Sequence, residues 1–252
     1  MLNTGGALSV MDHHVTINWE DGPTLHRIAA QVRYHTAESA TLKTLRVNAS
    51  HRYSDEPLAF MVFEDALQAT WIWQAHQKGW TAQLAVVNQG EEEIFLDALD
   101  VIRVDYAAGG LFSLGAPPGL WQVRIEEDNR PLLSAPGSDP PTPDDLSAAT
   151  SRWESWSPAT PGGFVRRRCF IVQPTVSNRT RPPALMIRAL DLDTVPSSAR
   201  IEIHLEATGE RFDRLTARYR TEGLLLGAGA SLASPRFWIA AGDDAEELSQ
   251  LI

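Results

Sequence analysis

The stretch Leu67–Asn88, L-Q-A-T-W-I-W-Q-A-H-Q-K-G-W-T-A-Q-L-A-V-V-N, decides the fold class. Leu67–Trp73 and Trp80–Asn88 are strand-like runs, and Trp71 and Trp73, two residues apart, share one face of a strand. Both rings, with Trp80 in the second run, read as core. The polar segment Gln74–Gly79 between the runs predicts a hairpin with an ordinary loop, and Asn88-Gln89-Gly90 turns the chain again.

The same grammar extends outward on both sides. Upstream, Val15, Ile17 and Trp19 alternate with polar neighbours until Asp21-Gly22-Pro23 ends the run. Leu25–His35 and Leu42–Asn48 alternate likewise, and Leu58–Phe63 is continuously apolar, as in a strand buried on both faces. Downstream, Ile94–Asp105 keeps Leu96, Ala98, Asp100, Ile102 and Val104 on one parity. Phe95, Leu99 and Val101 on the other predict a bulge or a break near Leu99. Further strands are expected at Leu120–Glu126, Phe164–Val172, Ala184–Leu190, Ile201–Ala207 and Phe237–Ala240. Leu215–Thr221 fits a strand or a helix, and Leu224–Leu226 is a short apolar run. Asp243–Ile252 begins with carboxylates that suit a helix N-terminus. The expectation is an all-β chain, a large antiparallel β-sandwich of two packed sheets with a short C-terminal helix. Residues 1–242 would form the sandwich domain, and residues 243–252 the start of a linker or helix.

One region breaks the pattern. Ser134–Gly163 is rich in proline and glycine and nearly free of apolar periodicity. A structureless connection of roughly thirty residues is about twice the usual upper length, and such loops are functional or disordered. Its first half has a disordered composition. Its second half, Ser151–Phe164 (S-R-W-E-S-W-S-P-A-T-P-G-G-F), holds Trp153 and Trp156 among serines, prolines and glycines. That chemistry reads as a loop, and rigid aromatics on a loop favour a binding surface. Folding back to plug the sandwich is the competing role, above all for Trp153. Trp156, flanked by Ser155 and Ser157, is the better ligand-facing residue: an aromatic platform beside hydrogen-bond formers matches a sugar's apolar face and hydroxyl rim.

Composition excludes several classes. A net charge of −10 across 252 residues argues against a nucleic-acid face or docking on anionic membranes. No stretch approaches the ~20 apolar residues of a transmembrane helix. The N-terminus lacks the basic start and apolar segment of a signal peptide. Cys169 is the single cysteine, so no internal disulfide forms and cytoplasmic residence is inferred. The histidines fit no metal-ligand spacing, no nucleophile elbow occurs, and Gly227-Ala-Gly229 lacks the third glycine of a dinucleotide site. No cofactor, metal or catalytic residue is expected in this chain. The Arg166–Arg168 triplet reads as an edge strand whose charges block sheet-to-sheet pairing.

Ser151–Ala159 resembles the "N-G-W-Q-S-W-S" segment of glycoside hydrolase family 36, the melibiase-type α-galactosidases. Arg152 and Glu154 stand where that family usually has Gly and Gln. Trp80–Leu99 is similar to the family's "W … v-N-x-G … l-x-L-D-x-l" stretch, and Phe237–Ile252 to its junction between a strand and the catalytic barrel. The resemblance implies an N-terminal β-supersandwich that packs on a (β/α)8 barrel in cis. It also implies an α-galactoside-type ligand, with Trp153, Ser155, Trp156 and Ser157 helping to wall the sugar subsite. The carboxylates of catalysis would then lie in the barrel. A free-standing carbohydrate-binding or adhesive module is the alternative, and a sandwich used for homo-oligomerisation is the third reading.

Overall fold

The computed structural model describes residues 6–126, 151–155, 164–166, 169–175, 183–196, 199–208 and 210–251. Numbered in chain order, their strands fall into two antiparallel sheets. The nine-stranded sheet runs β1 (Gly6–Met11), β2 (His14–Trp19), β3 (Thr24–Thr36), β9 (Ile94–Asp105), β17 (Phe212–Leu226), β16 (Arg200–Ala207) and β13 (Phe164–Arg166). Two further strands, β4 (Ser39–Val47) and β10 (Leu111–Ser113), also pair with β3.

The ten-stranded sheet starts with β12 (Ser151–Ser155), β11 (Trp121–Glu126), β14 (Cys169–Pro174), β15 (Ala184–Ala189) and β19 (Phe237–Gly242). It continues through β8 (Gly79–Asn88), β7 (Leu67–His76), β6 (Leu58–Glu64) and β5 (Arg52–Asp55), while β18 (Ser231–Ala233) pairs with β8. No helix among the described residues is long and apolar enough to cross a membrane.

The inward parities of both sheets form one core, with Val32, Leu99 and Val101 facing Phe60, Trp71 and Leu84. Trp71 and Trp73 are fully buried and meet edge to face at 5.2 Å. Trp71 Nε1 donates to the carbonyl of Val101 across the sandwich at 2.9 Å. That carbonyl is free to accept because Val101 is the extra residue of a bulge: Ala217 pairs with Ile102, and the next residue, Arg218, with Asp100. The parity conflict resolves at two irregularities that flank Leu99, this one and another at Asp97, where Arg33 pairs with Ala98 and Tyr34 with Leu96, and a side chain from the opposite sheet uses the acceptor that the ladder misses.

The bulge also sets Asp100 on the outer face, where it is fully buried under arginines. Arg218 Nε lies 2.5 Å from Oδ1, Arg33 Nη2 3.4 Å from Oδ1 and Arg103 Nη1 3.8 Å from Oδ2. Gln31 Nε2 donates to Oδ2 at 2.7 Å.

Several boundaries differ from the sequence expectation. The hairpin between β7 and β8 turns in two residues, Gln77-Lys78, because strand pairing absorbs the polar Gln74–His76. Leu215–Thr221 is a strand, and β17 continues through Leu224–Leu226 past an irregularity with Glu222 and Gly223 at φ 51° and 79°. Phe164–Val172 is not one strand. Its first residues, β13, join the edge of one sheet, while β14 lies inside the other, so the chain changes sheets between Arg166 and Cys169. Arg166 thus sits on an edge strand; Arg167 and Arg168 lie outside the described residues.

The Gln77-Lys78 turn is a junction. Trp238 Nε1 donates to the carbonyl of Gln77 at 3.0 Å, and Trp19 Nε1 from the other sheet to that of Lys78 at 3.2 Å. Beside it, His76 meets the Trp238 ring edge-on at 4.9 Å, and burial, with Arg236 adding, lowers its pKa below the ordinary imidazole value. The Lys78 ammonium pairs with Glu247 of α1 (Ala245–Ser249). This helix starts as its carboxylates predict: Asp244 accepts from Glu247 N at 2.8 Å, and Glu247 from Asp243 N at 2.9 Å. It lays Ala245 and Leu248 on a second apolar cluster with Cys169, Met186 and Trp238.

Gly79, just after the junction, gives a direct test. A Cβ there would lie 1.9 Å from the carbonyl oxygen of Ile239 on β19. Backbone cannot rotate away, so Gly79→Ala is expected to cost about 3 kcal/mol by overpacking. Gly227→Ala, whose Cβ would meet nothing within 4 Å, should be near neutral. Urea midpoints of the two variants check this, and equal values would contradict it.

Candidate functional site

The tryptophan segment begins as a strand, which corrects the expectation of a loop throughout Ser151–Phe164. Ser151–Ser155 forms β12, antiparallel to β11 with Ser151 opposite Glu126, Trp153 opposite Arg124 and Ser155 opposite Gln122. The physical reason is local. Proline and glycine first appear at Pro158, so nothing in Ser151–Ser155 forbids a ladder, and β11 offers an open edge. Of the four expected sugar-contacting residues, Trp153 and Ser155 lie on this edge strand; Trp156 and Ser157 lie outside the described residues.

The β11 strand is firmly rooted where Ser155 meets it. Trp121, next to Gln122, is buried and donates Nε1–H to the carbonyl of Ala116 at 2.8 Å. Its ring packs on Phe112 at 4.9 Å, and Phe112 meets Phe212 edge-on at 5.7 Å. Thr175 fixes the same end, with its N–H and its hydroxyl both donating to the carbonyl of Leu120, at 2.6 and 2.8 Å.

A cavity of about 190 Å3 opens on this aromatic cluster, lined by Tyr106, Leu111, Phe112, Trp121, Glu210 and Arg211 among others. Tyr106 is 47% exposed and Leu111 44%. The Arg211 guanidinium lies 4.9 Å from the centre of the Tyr106 ring and hydrogen-bonds Asp213 through Nε at 2.9 Å. Tyr106 itself opens a single helical turn capped by Asp105, whose Oδ1 accepts from Ala107 N at 3.1 Å. Gly109, at φ 79°, and Gly110 close that turn by donating to the carbonyls of Tyr106 and Asp105.

Sequence reading missed this cavity. D-Y-A-A-G-G at Asp105–Gly110 carries a turn signal, but nothing local shows that Trp121 and Arg211 converge on it. Among the described residues, no group of three or more His, Cys, Asp or Glu side chains is placed to hold a metal ion.

No protein-family model and no curated protein matches the sequence. Solved structures do. The GH36 α-galactosidase AgaA from Geobacillus stearothermophilus superposes with a TM-score of 0.51, at 12% identity over 84% of this chain. Its A355E variant, in complex with 1-deoxygalactonojirimycin, superposes at 0.52 with 11% identity over the same share. This chain has the fold of a GH36 α-galactosidase domain. It spans only 30% of the length of those two structures.

The GH36-type fold also gives the Asn88-Gln89-Gly90 turn a structural meaning. Asn88 is fully buried, and its Nδ2 donates to the carbonyls of Glu92 at 2.7 Å and Leu226 at 3.0 Å. Its Oδ1 accepts from Gly90 N at 3.0 Å. One side chain thereby ties the end of β8 to the end of β17, which belongs to the other sheet.

Proposed function

We propose that this chain is the N-terminal β-supersandwich domain of a GH36-type glycoside hydrolase. In this reading residues 1–242 pack on a catalytic (β/α)8 barrel in cis, residues 243–252 lead toward it, and the protein works in the cytoplasm on an α-galactoside-type saccharide. The segment around Trp153, Ser155, Trp156 and Ser157 contributes to sugar binding, with Trp156 as the stacking platform, and the catalytic carboxylates belong to the barrel. The observation that carries the proposal is the asymmetry of the fold likeness: 84% of this chain superposes on 30% of an α-galactosidase. The resemblance of Ser151–Ala159 to that family's tryptophan segment supports it.

A titration of the chain with melibiose tests the binding role. Weak binding is expected, and Trp156→Ala should weaken it about tenfold, the equivalent of roughly 1.4 kcal/mol, with the thermal midpoint unchanged. An unaltered affinity in Trp156→Ala would remove that residue from the site.

A further inference from the structure

We propose that the cavity between Tyr106 and Arg211 is a second saccharide subsite, which takes a single hexopyranose ring. The ligand class rests on the carbohydrate reading above; the place rests on geometry. At about 190 Å3 the cavity is below the roughly 300–1,000 Å3 of pockets for drug-sized ligands. It therefore suits one small ring rather than an extended molecule.

Its chemistry is divided in the way a pyranose is. Tyr106 and Leu111 present exposed apolar surface above a floor of Phe112 and Trp121, a match for the C–H face of a sugar. Glu210 and Arg211 bring an acceptor and a donor group together at the same cavity. Of the five N–H donors of a guanidinium, Arg211 engages Asp213 through Nε and Nη2, so Nη1 is available to a hydroxyl. A carboxylate beside a guanidinium can receive and give hydrogen bonds to neighbouring hydroxyls, and charge-assisted bonds of this kind are the strong ones.

Two further observations favour a site over a surface dent. The backbone at Tyr106 is held by the Asp105 cap and the two glycine N–H bonds, and the Arg211 guanidinium lies over its ring, so little backbone ordering remains to be done on binding. The cavity floor also includes Trp121, whose neighbour Gln122 pairs with Ser155, the last residue of β12. Ser155 and this cavity therefore meet the same end of β11.

The test is a galactose titration of the full chain followed by amide and indole resonances, with sorbitol, a polyol without a ring, as control. Galactose should shift the amides of Phe112, Ser113 and Arg211 with a dissociation constant on the order of millimolar, and sorbitol should not. Tyr106→Ala should weaken binding at these amides at least tenfold, and Glu210→Gln about threefold. Shifts confined to the Trp156 indole would overturn the cavity while sustaining the tryptophan site. Shifts confined to the cavity amides would sustain the cavity and overturn the tryptophan site. Cavity amides that stay still at saturating galactose, glucose and mannose, or that respond equally in Tyr106→Ala, would overturn the subsite.

Discussion

Trp71→Ala is expected to lower stability by about 4 kcal/mol, within the roughly 3–5 kcal/mol range of large aromatic truncations in cores. Trp71 is fully buried, contacts Phe60 and Trp73, and donates a cross-sandwich bond to the Val101 carbonyl. Truncation opens a cavity and leaves a buried acceptor without its donor, and the two costs act together. Trp71→Phe separates them. It keeps most of the ring and should cost about 1–3 kcal/mol for the orphaned carbonyl. Urea unfolding measures both, and a Trp71→Ala loss below that of Trp71→Phe would contradict the packing argument.

Arg218→Met is the second. Asp100 has no solvent exposure, and Arg218 holds it through Nε at 2.5 Å and Nη2 at 3.3 Å. Removing one partner of a buried ion pair costs about 3–5 kcal/mol, chiefly because a charge stays behind in a poor solvent. Arg33 and Arg103 remain at 3.4 and 3.8 Å, so the lower end, about 3 kcal/mol, is expected here. Arg200→Met supplies the contrast. Its partner Glu222 is exposed, and such pairs contribute about 0–1 kcal/mol. Equal denaturation midpoints for the two variants would mean that Asp100 does not depend on Arg218.

The alternation of Val15–Trp19, Leu67–Trp73 and Trp80–Asn88 made the strands legible because period two is a local property of a half-buried sheet. The antiparallel pairing of β7 and β8 was readable too, because a single polar segment joins the two runs. The change of sheet between Arg166 and Cys169 was not. Phe164–Val172 looks continuous because both halves are extended, and only their different partners, β16 for one and β11 with β15 for the other, separate them. Short strands such as β5, β10 and β12 were hidden for a related reason: a strand of three to five residues owes its existence to the edge it joins, not to its own pattern. The candidate site divides the same way. Trp153 and Trp156 stand out in the sequence by their setting, whereas Tyr106, Trp121 and Arg211 meet only because β9 ends where β11 and β17 begin.

Hairpin tips are ordinarily the expendable ends of a sheet, the places where chains accept nicks, insertions and new termini. Gln77-Lys78 is built the other way. Two indoles from different strands and the carboxylate of a helix converge on its two residues. A break there would loosen the contacts that Trp19, Trp238 and Glu247 make with the tip, so this two-residue turn carries cross-links between the sheets and to the helix. Engineering of new termini or fusions in this scaffold should spare it, although by length alone it looks as expendable as the other two-residue turns.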